Sequence, residues 1–258
     1  MAMGVFDLLS TVFDAAQSLF GLVIPDALSL GIWALLASFL SMWTYGRLSN
    51  QEALNHIRPL QKTASKRLAV YDGPFNGLWP LVRENFSLSA QQMWLTFFPA
   101  LVATIPILFV LPWVSNTFGS QFPETGEPVA VRVESYTPYE LHWNLNEKPQ
   151  KSGTGRWTLS WPIEGETLDL LDQTDQAVLV LPLSEPTPVL HKKLWWNYLI
   201  GNPAGYLDPD HVVESISFDF PSREFLPIGP DWLRGWLPLF MLYLVSFSLL
   251  LKWRWRLH

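Results

Sequence analysis

Cysteine is missing from this chain altogether, which excludes a disulfide framework, a thiolate zinc cluster and a thiol nucleophile. Catalytic signatures are missing as well. The five histidines (His56, His142, His191, His211 and His258) form no HExxH pair and no other metal-ligand spacing. There is no GxSxG elbow, no phosphate-binding P-loop and no glycine-rich dinucleotide fingerprint. Asp208, Asp210 and His211 lie close enough to suggest metal ligands, but a polar turn ahead of a strand is the expected reading. The chain is therefore expected to be no enzyme and to need neither metal nor cofactor.

Charge is also missing, from three stretches. Residues 27–46, 93–114 and 235–251 carry none over 20, 22 and 17 positions. Twenty-two helical residues rise roughly 33 Å, enough for the ~30 Å hydrocarbon core of a bilayer. The shortest stretch is flanked by Trp232 and Trp236 on one side and Trp253 and Trp255 on the other, the aromatic belt of a membrane interface. The expectation is a membrane α-helical protein with three transmembrane helices.

Basic residues are absent before the first stretch. Between the first two lie Arg47, Arg58, Lys62, Lys66, Arg67 and Arg83, and after the third Lys252, Arg254 and Arg256. The positive-inside rule places the first loop and the C-terminus in the cytoplasm and the N-terminus outside. Residues 115–231 then lie outside too, and their 17 acidic against 7 basic residues fit that side. The organisation expected is an N-terminal segment (1–26), a first span, a cytoplasmic helical hairpin (47–92), a second span, an external domain (115–231), a third span (232–251) and a basic tail (252–258).

The N-terminal segment has no basic region of the kind that opens a cleaved signal peptide. Asp7, Ser10, Asp14, Gln17 and Ser18 fall on one helical face, and Val5, Leu8, Leu9, Val12, Phe13, Leu19 and Phe20 largely on the other. An amphipathic helix in the outer interface follows. A fourth span is the alternative, at the cost of two aspartates at membrane depth. Pro25 and Asp26 end this helix and start the first span.

The first span is expected to run on as a helix into the hairpin, with Ala53, Ile57, Leu60, Ala64 and Leu68 as its apolar stripe. Pro59 interrupts it, Asp72-Gly73-Pro74 opens a turn, and a second helix starts near Leu81. Arg58, Lys62, Lys66 and Arg67 form a basic face. It is either simply solvated or a docking face for anionic lipid head groups, ribosomal RNA or an acidic partner.

From Glu127 the pattern turns to alternation: Val129, Val131 and Val133 against Ala130, Arg132 and Glu134. Further strands are expected at 140–145, 156–161, 167–171, 177–183 and 212–220, separated by turns at Ser152-Gly153, Glu164-Gly165 and Pro186. Short strands in this number suggest a small all-β, sandwich-like domain. Trp195, Trp196 and Tyr198 sit in an aromatic turn or lid, read first as packing of the sandwich core and otherwise as contact with the outer leaflet or a partner.

Inside the spans the polar residues are hydroxyls. Ser38, Ser41 and Tyr45 share a face of the first, with Arg47 at its end; Thr96 and Thr104 lie in the second, with Pro99, Pro106 and Pro112; Tyr243, Ser246 and Ser248 lie in the third. They serve helix packing or else line a moderately polar groove open to the cytoplasm. No charge lies inside a span, which disfavours a transporter or channel.

Three clusters resemble the YidC/Oxa insertase superfamily, most closely the short archaeal YidC-like proteins and the third subunit of the endoplasmic reticulum membrane protein complex. Tyr45, Leu48, Asn50, Gln51, Leu54, Ile57, Arg58 and Gln61 are similar to that family's passage from first span to coiled coil. Phe98-Pro99, residues 104–108 and Pro112-Trp113 are similar to its second span. Trp236-Leu237, Tyr243, residues 245–248 and Leu251-Lys252 are similar to its third. The resemblance implies ATP-independent insertion or chaperoning of membrane proteins. It implies a client groove of Ser38, Ser41, Tyr45, Arg47, Thr96, Thr104, Tyr243 and Ser246, and a hairpin that receives clients. Expected partners are the lipid bilayer and nascent or client membrane proteins, with ribosome contact through the basic face, a protein partner for the external domain and no DNA. The chain departs from the family in its short hairpin, its lack of an arginine within a span and its whole external domain. The alternative is an assembly or scaffold subunit of a bacterial envelope complex, acting through that domain.

Overall fold

A computed structural model describes residues 4–135, 141–145, 149–161, 167–183 and 185–255. Position 140, the Glu164-Gly165 turn, Arg256 and His258 lie outside the described residues. The chain divides into two compact units, Met1–Leu30 with Phe109–Leu239, and Gly31–Leu108 with Phe240–His258.

Among the described residues, three helices are long and apolar enough to cross a membrane: Asp26–Leu48, Phe75–Phe118 and Trp236–Trp255. The first is α2, which follows the short helix α1 (Ser10–Phe20). At 11 residues, α1 rises only about 16 Å, too little for a fourth span. The expected continuation of α2 into the hairpin does not occur. The helix stops at Leu48, and Asn50 caps a new one, α3 (Gln51–Ala69), by accepting the Ala53 N–H at 3.0 Å. The second arm, α4 (Phe75–Ala103), starts six residues earlier than Leu81. Pro80 withdraws one backbone bond, and packing against α3 carries the helix through it.

At Thr104 the helix is interrupted before resuming as α5 (Ile105–Phe118). Pro106 has no N–H to give the preceding turn, and the Thr104 N–H is shared between the carbonyls of Ala100 and Leu101, both at 3.2 Å. A single turn, α6 (Asp231–Arg234), precedes the last helix, α7 (Trp236–Trp255). Within the second unit, α2 and α7 run side by side in the same direction. A methyl group on Gly31 would meet the Tyr243 ring at 3.4 Å, and Phe39 packs edge-on against Trp255 at 5.5 Å.

In the first unit, strands β1 (Pro128–Ser135), β2 (His142–Trp143), β3 (Gln150–Gly153), β4 (Arg156–Ser160), β5 (Thr167–Leu171), β6 (Ala177–Pro182), β7 (Val189–His191) and β8 (Val213–Phe218) form two antiparallel sheets. Their orders are β3-β4-β1-β8-β7 and β2-β5-β6. Alternation is strict on β1, where Val129, Val131 and Val133 point inward. With Leu159, Leu168, Leu170, Val213 and Ile216 they make one core fed by both sheets, each such side chain contributing roughly 1.5–3 kcal/mol. Strands β3 and β7 have too little alternation to be found by sequence. Every residue of β3 is exposed, and Ser152-Gly153, expected as a turn, belongs to this strand.

The chain leaves α5 and returns to α6 through a shared neck. Gln121 donates to the Pro221 carbonyl at 3.0 Å, Arg223 N–H to the Gly119 carbonyl at 3.2 Å, and Phe118 packs on Phe225. The Arg223 guanidinium reaches the Asp26 carboxylate at 2.8 Å, fixing the start of α2.

Candidate functional site

The hydroxyls expected to line one groove are used in separate ways. Ser38 is fully buried and donates to the Leu244 carbonyl at 3.0 Å, joining α2 to α7. Tyr243 stacks on Phe247 of its own helix. Thr96 bonds back to the carbonyls of Gln92 and Met93, and Thr104 to that of Leu101 at 2.7 Å, the usual fate of a threonine in an apolar helix. Tyr45 is half-buried. Thr104 and Ser246 are exposed, and Arg47 is exposed beside the Trp43 ring, 5.5 Å from its centre. Ser41 keeps an unspent group, a buried hydroxyl with no hydrogen-bond partner among the described residues.

The hairpin carries a polar seam that the sequence pattern alone did not reveal. Ser65 donates to the Asn85 side chain at 2.9 Å, and Gln61 reaches both Ser65, at 3.1 Å, and Ser89, at 3.5 Å. The signal was present: Gln61 and Ser65 on one arm, and Asn85 and Ser89 on the other, are each four apart and so share a helix face. This seam fixes which faces of α3 and α4 look outward. Lys62, Lys66 and Arg67 are exposed and Arg58 half-buried, and no ion pair among the described residues holds any of them. Beside the seam runs an open groove of about 610 Å³, lined by Ile57, Phe86, Ala90, Trp94 and Leu95, with Arg83 at its edge. Phe86 and Trp94 are both largely exposed.

The first unit holds a second constellation. Asp7 is only 8% exposed, and its carboxylate accepts the Gly4 N–H at 3.0 Å and the Gly201 N–H in a very short contact. Asp14 accepts the Trp113 indole N–H at 2.6 Å. Asp7 is therefore turned into protein, whereas Asp14 is exposed beside Trp113; both border a cavity of about 260 Å³ lined also by Asn116, Thr117, Glu185 and Asn202. The aromatic turn Trp195–Tyr198 is a single 3-10 turn, held by Asn197, whose side chain accepts the Leu194 N–H at 2.8 Å. Core packing, the first expectation for its rings, does not hold: Trp195 and Tyr198 are well exposed and Trp196 is just exposed. The hydrogen-bonding residue between them is what is buried. His211 behaves as a turn residue, with its ring between the Val178 carbonyl and the Val213 N–H. No group of residues able to hold a metal ion occurs among the described residues.

Three apolar helices joined to a two-sheet β-domain make this a membrane protein. Comparison with family models, with curated proteins and with solved structures finds no match to the chain.

Proposed function

We propose that this chain is an ATP-independent insertase or chaperone of membrane proteins, of the YidC/Oxa type its helix order resembles. It would sit in a bacterial inner membrane, its basic hairpin and C-terminal end in the cytoplasm and its N-terminus and acidic β-domain outside. The same-direction pairing of α2 and α7 supports this orientation, since it brings Arg47, Lys252 and Arg254 to one end of the pair.

One observation carries the reading: the apolar groove on α4. An exposed aromatic groove with Arg83 in its lining suits an apolar segment with a polar flank. It lies on the helix that itself continues as the second span, Phe75–Phe118. A client captured at Phe86 and Trp94 can pass along Phe97, Phe98 and Leu101, all exposed, without leaving an apolar surface. Burial against these rings supplies the driving force, at roughly 25 cal/mol per Å² of apolar area, so no nucleotide is needed. The client path thus lies on the α4 face rather than among the dispersed hydroxyls.

A second reading has its own observation. Ser38 locks two spans together and the threonines are spent on their own backbones, as in a scaffold whose spans only hold a β-domain in place. In-cell photo-crosslinking separates the two, with probes at Phe86 and Trp94 compared with Ser41, Thr104 and Ser246 and with Trp195 and Tyr198. Insertase action gives crosslinks to newly made membrane proteins from Phe86 and Trp94. Silence there, with one stable partner caught at Trp195 or Tyr198, sinks it in favour of the scaffold.

A further inference from the structure

We infer that the N-terminal segment and the aromatic turn of the β-domain form one anchor that lies in the interface of the lipid bilayer, with the Asp7 carboxylate turned into the protein and that of Asp14 bonded to Trp113. The reason is an inversion of polarity. A helix on a water-facing surface turns its polar stripe outward. Here Asp7 is buried against Gly201 and Asp14 is bonded to Trp113, while most of the aliphatic residues are left open and Phe13 is buried. Leu22 is 90% exposed and Leu19 80%, with Leu8 and Val12 above 60%. In water such a surface would be a liability. Against hydrocarbon it is the favoured arrangement, because a carboxylate facing lipid is costly.

The aromatic turn belongs to the same surface. The Phe6 N–H donates to the Leu199 carbonyl at 2.9 Å, and a Cβ on Gly4 would lie 2.5 Å from the Leu199 backbone, so only glycine allows this approach. Trp195 is 79% exposed and Tyr198 65%. Lys193 holds its amine 4.2 Å from the Tyr198 ring centre. Tryptophan, tyrosine and a lysine amine level with them are the composition of a membrane interface.

The occupant is fixed by continuity. The N-terminal segment packs on α5, Phe6 edge-on to Phe109 and Phe13 edge-on to Trp113, both at 5.5 Å. Helix α5 is the end of an apolar span, so the open face extends that span's surface sideways. A bilayer around the span reaches this face without rearrangement. The inference stands apart from the hairpin and its clients.

Because the chain has no cysteine, single nitroxide labels can be placed by Val12→Cys, Leu22→Cys and Tyr198→Cys, with Val180→Cys on exposed β6 as the water-facing control. The full chain goes into phosphatidylethanolamine–phosphatidylglycerol vesicles. Power-saturation spectroscopy compares access of oxygen, which concentrates in lipid, with access of a water-soluble nickel chelate. The three anchor labels are expected to show several-fold less nickel access than Val180→Cys and raised oxygen access, at a depth of about 5–10 Å. Nickel access equal to the control means the face is in water and overturns the inference. Shielding from both reagents overturns it too, since a second copy or another protein then covers the face.

Discussion

Polar side chains do opposite work in the two units. In the unit that includes the β-domain the aspartates join distant parts of the chain: Asp7 to Gly201, Asp14 to Trp113, Asp26 to Arg223. In the unit of Gly31–Leu108 and Phe240–His258 polar side chains are used nearby. Thr63, Thr96 and Thr104 bond one turn back, and the Gln61–Ser65–Asn85–Ser89 seam joins neighbouring arms of one hairpin. Ser38 is the long-range exception. A charged group accepting backbone N–H groups, as Asp7 does, tolerates little displacement, so the N-terminal segment is held in place. The second unit rests on apolar contact, which accepts substitutes and shifts. Surfaces that receive varied apolar segments are of this second kind.

Asp7→Ala is the severest test of the contrast. It strips two backbone donors of a charged acceptor, worth ~3 kcal/mol where one donor is left buried. The expected result is release of the N-terminal segment, seen as rapid hydrogen exchange over residues 4–20 with the hairpin at 51–103 unchanged. Asp7→Asn, which keeps an acceptor oxygen, should lose much less. Unaltered exchange at 4–20, or loss spreading equally to the hairpin, would break the comparison.

The hairpin should prove more forgiving. Asn85→Leu removes the acceptor of Ser65 at a cost of ~1 kcal/mol, and the added leucine recovers part of it by packing. Thermal unfolding in detergent or lipid should shift only slightly. A loss as large as that of Asp7→Ala would mean the seam constrains its unit as strictly as the carboxylates constrain theirs. Smaller still is the contrast within α2. Ser38→Ala loses an interhelical bond of the kind that averages ~0.6 kcal/mol in membranes. Ser41→Ala removes a hydroxyl with no partner among the described residues and should be neutral or slightly stabilising. If Ser41→Ala instead impairs client crosslinking from Phe86, that hydroxyl belongs to the client path.

What could be read from the sequence follows the same division. The spans and the strand β1 were legible because one repeated property defines each: absence of charge over a bilayer's thickness, or apolar residues at every second position. The amphipathic N-terminal face was legible as a pattern, but not which face points inward, because Gly201 and Trp113 lie far from Asp7 and Asp14 in sequence. The aromatic turn departs from its sequence pattern for a related reason. Three large rings suggest a core, whereas the small Asn197 between them is the residue that packs. The hydroxyls of the spans show a helical periodicity, yet their use depends on a partner carbonyl one turn back or on another helix, and periodicity does not distinguish these.

The mildest prediction concerns Asp172, at the turn between β5 and β6. Its carboxylate accepts from the Thr174 hydroxyl and N–H, both at 2.7 Å, and from the Gln176 N–H at 3.1 Å. The Thr174 hydroxyl first, then the Gln176 amide, hold its pKa below the ordinary carboxylate value. A lowered folded pKa means the folded turn prefers the charged form. Its stabilisation is complete above the unfolded value, near pH 4, and is lost as pH falls through the folded one. Asp175, close by in the same turn, holds a left-handed φ of 57°, so the turn has strain for these bonds to offset. The amide signals of Thr174 and Gln176 should therefore shift together in acid, below the range of a free carboxylate, and Asp172→Asn should abolish that shift while leaving the Asp7 contacts untouched. Carboxylates then divide even within this unit. Asp172 shapes a local turn in water, and Asp7 fixes the fold by reaching across it. A global loss of the β-domain in Asp172→Asn would erase that distinction.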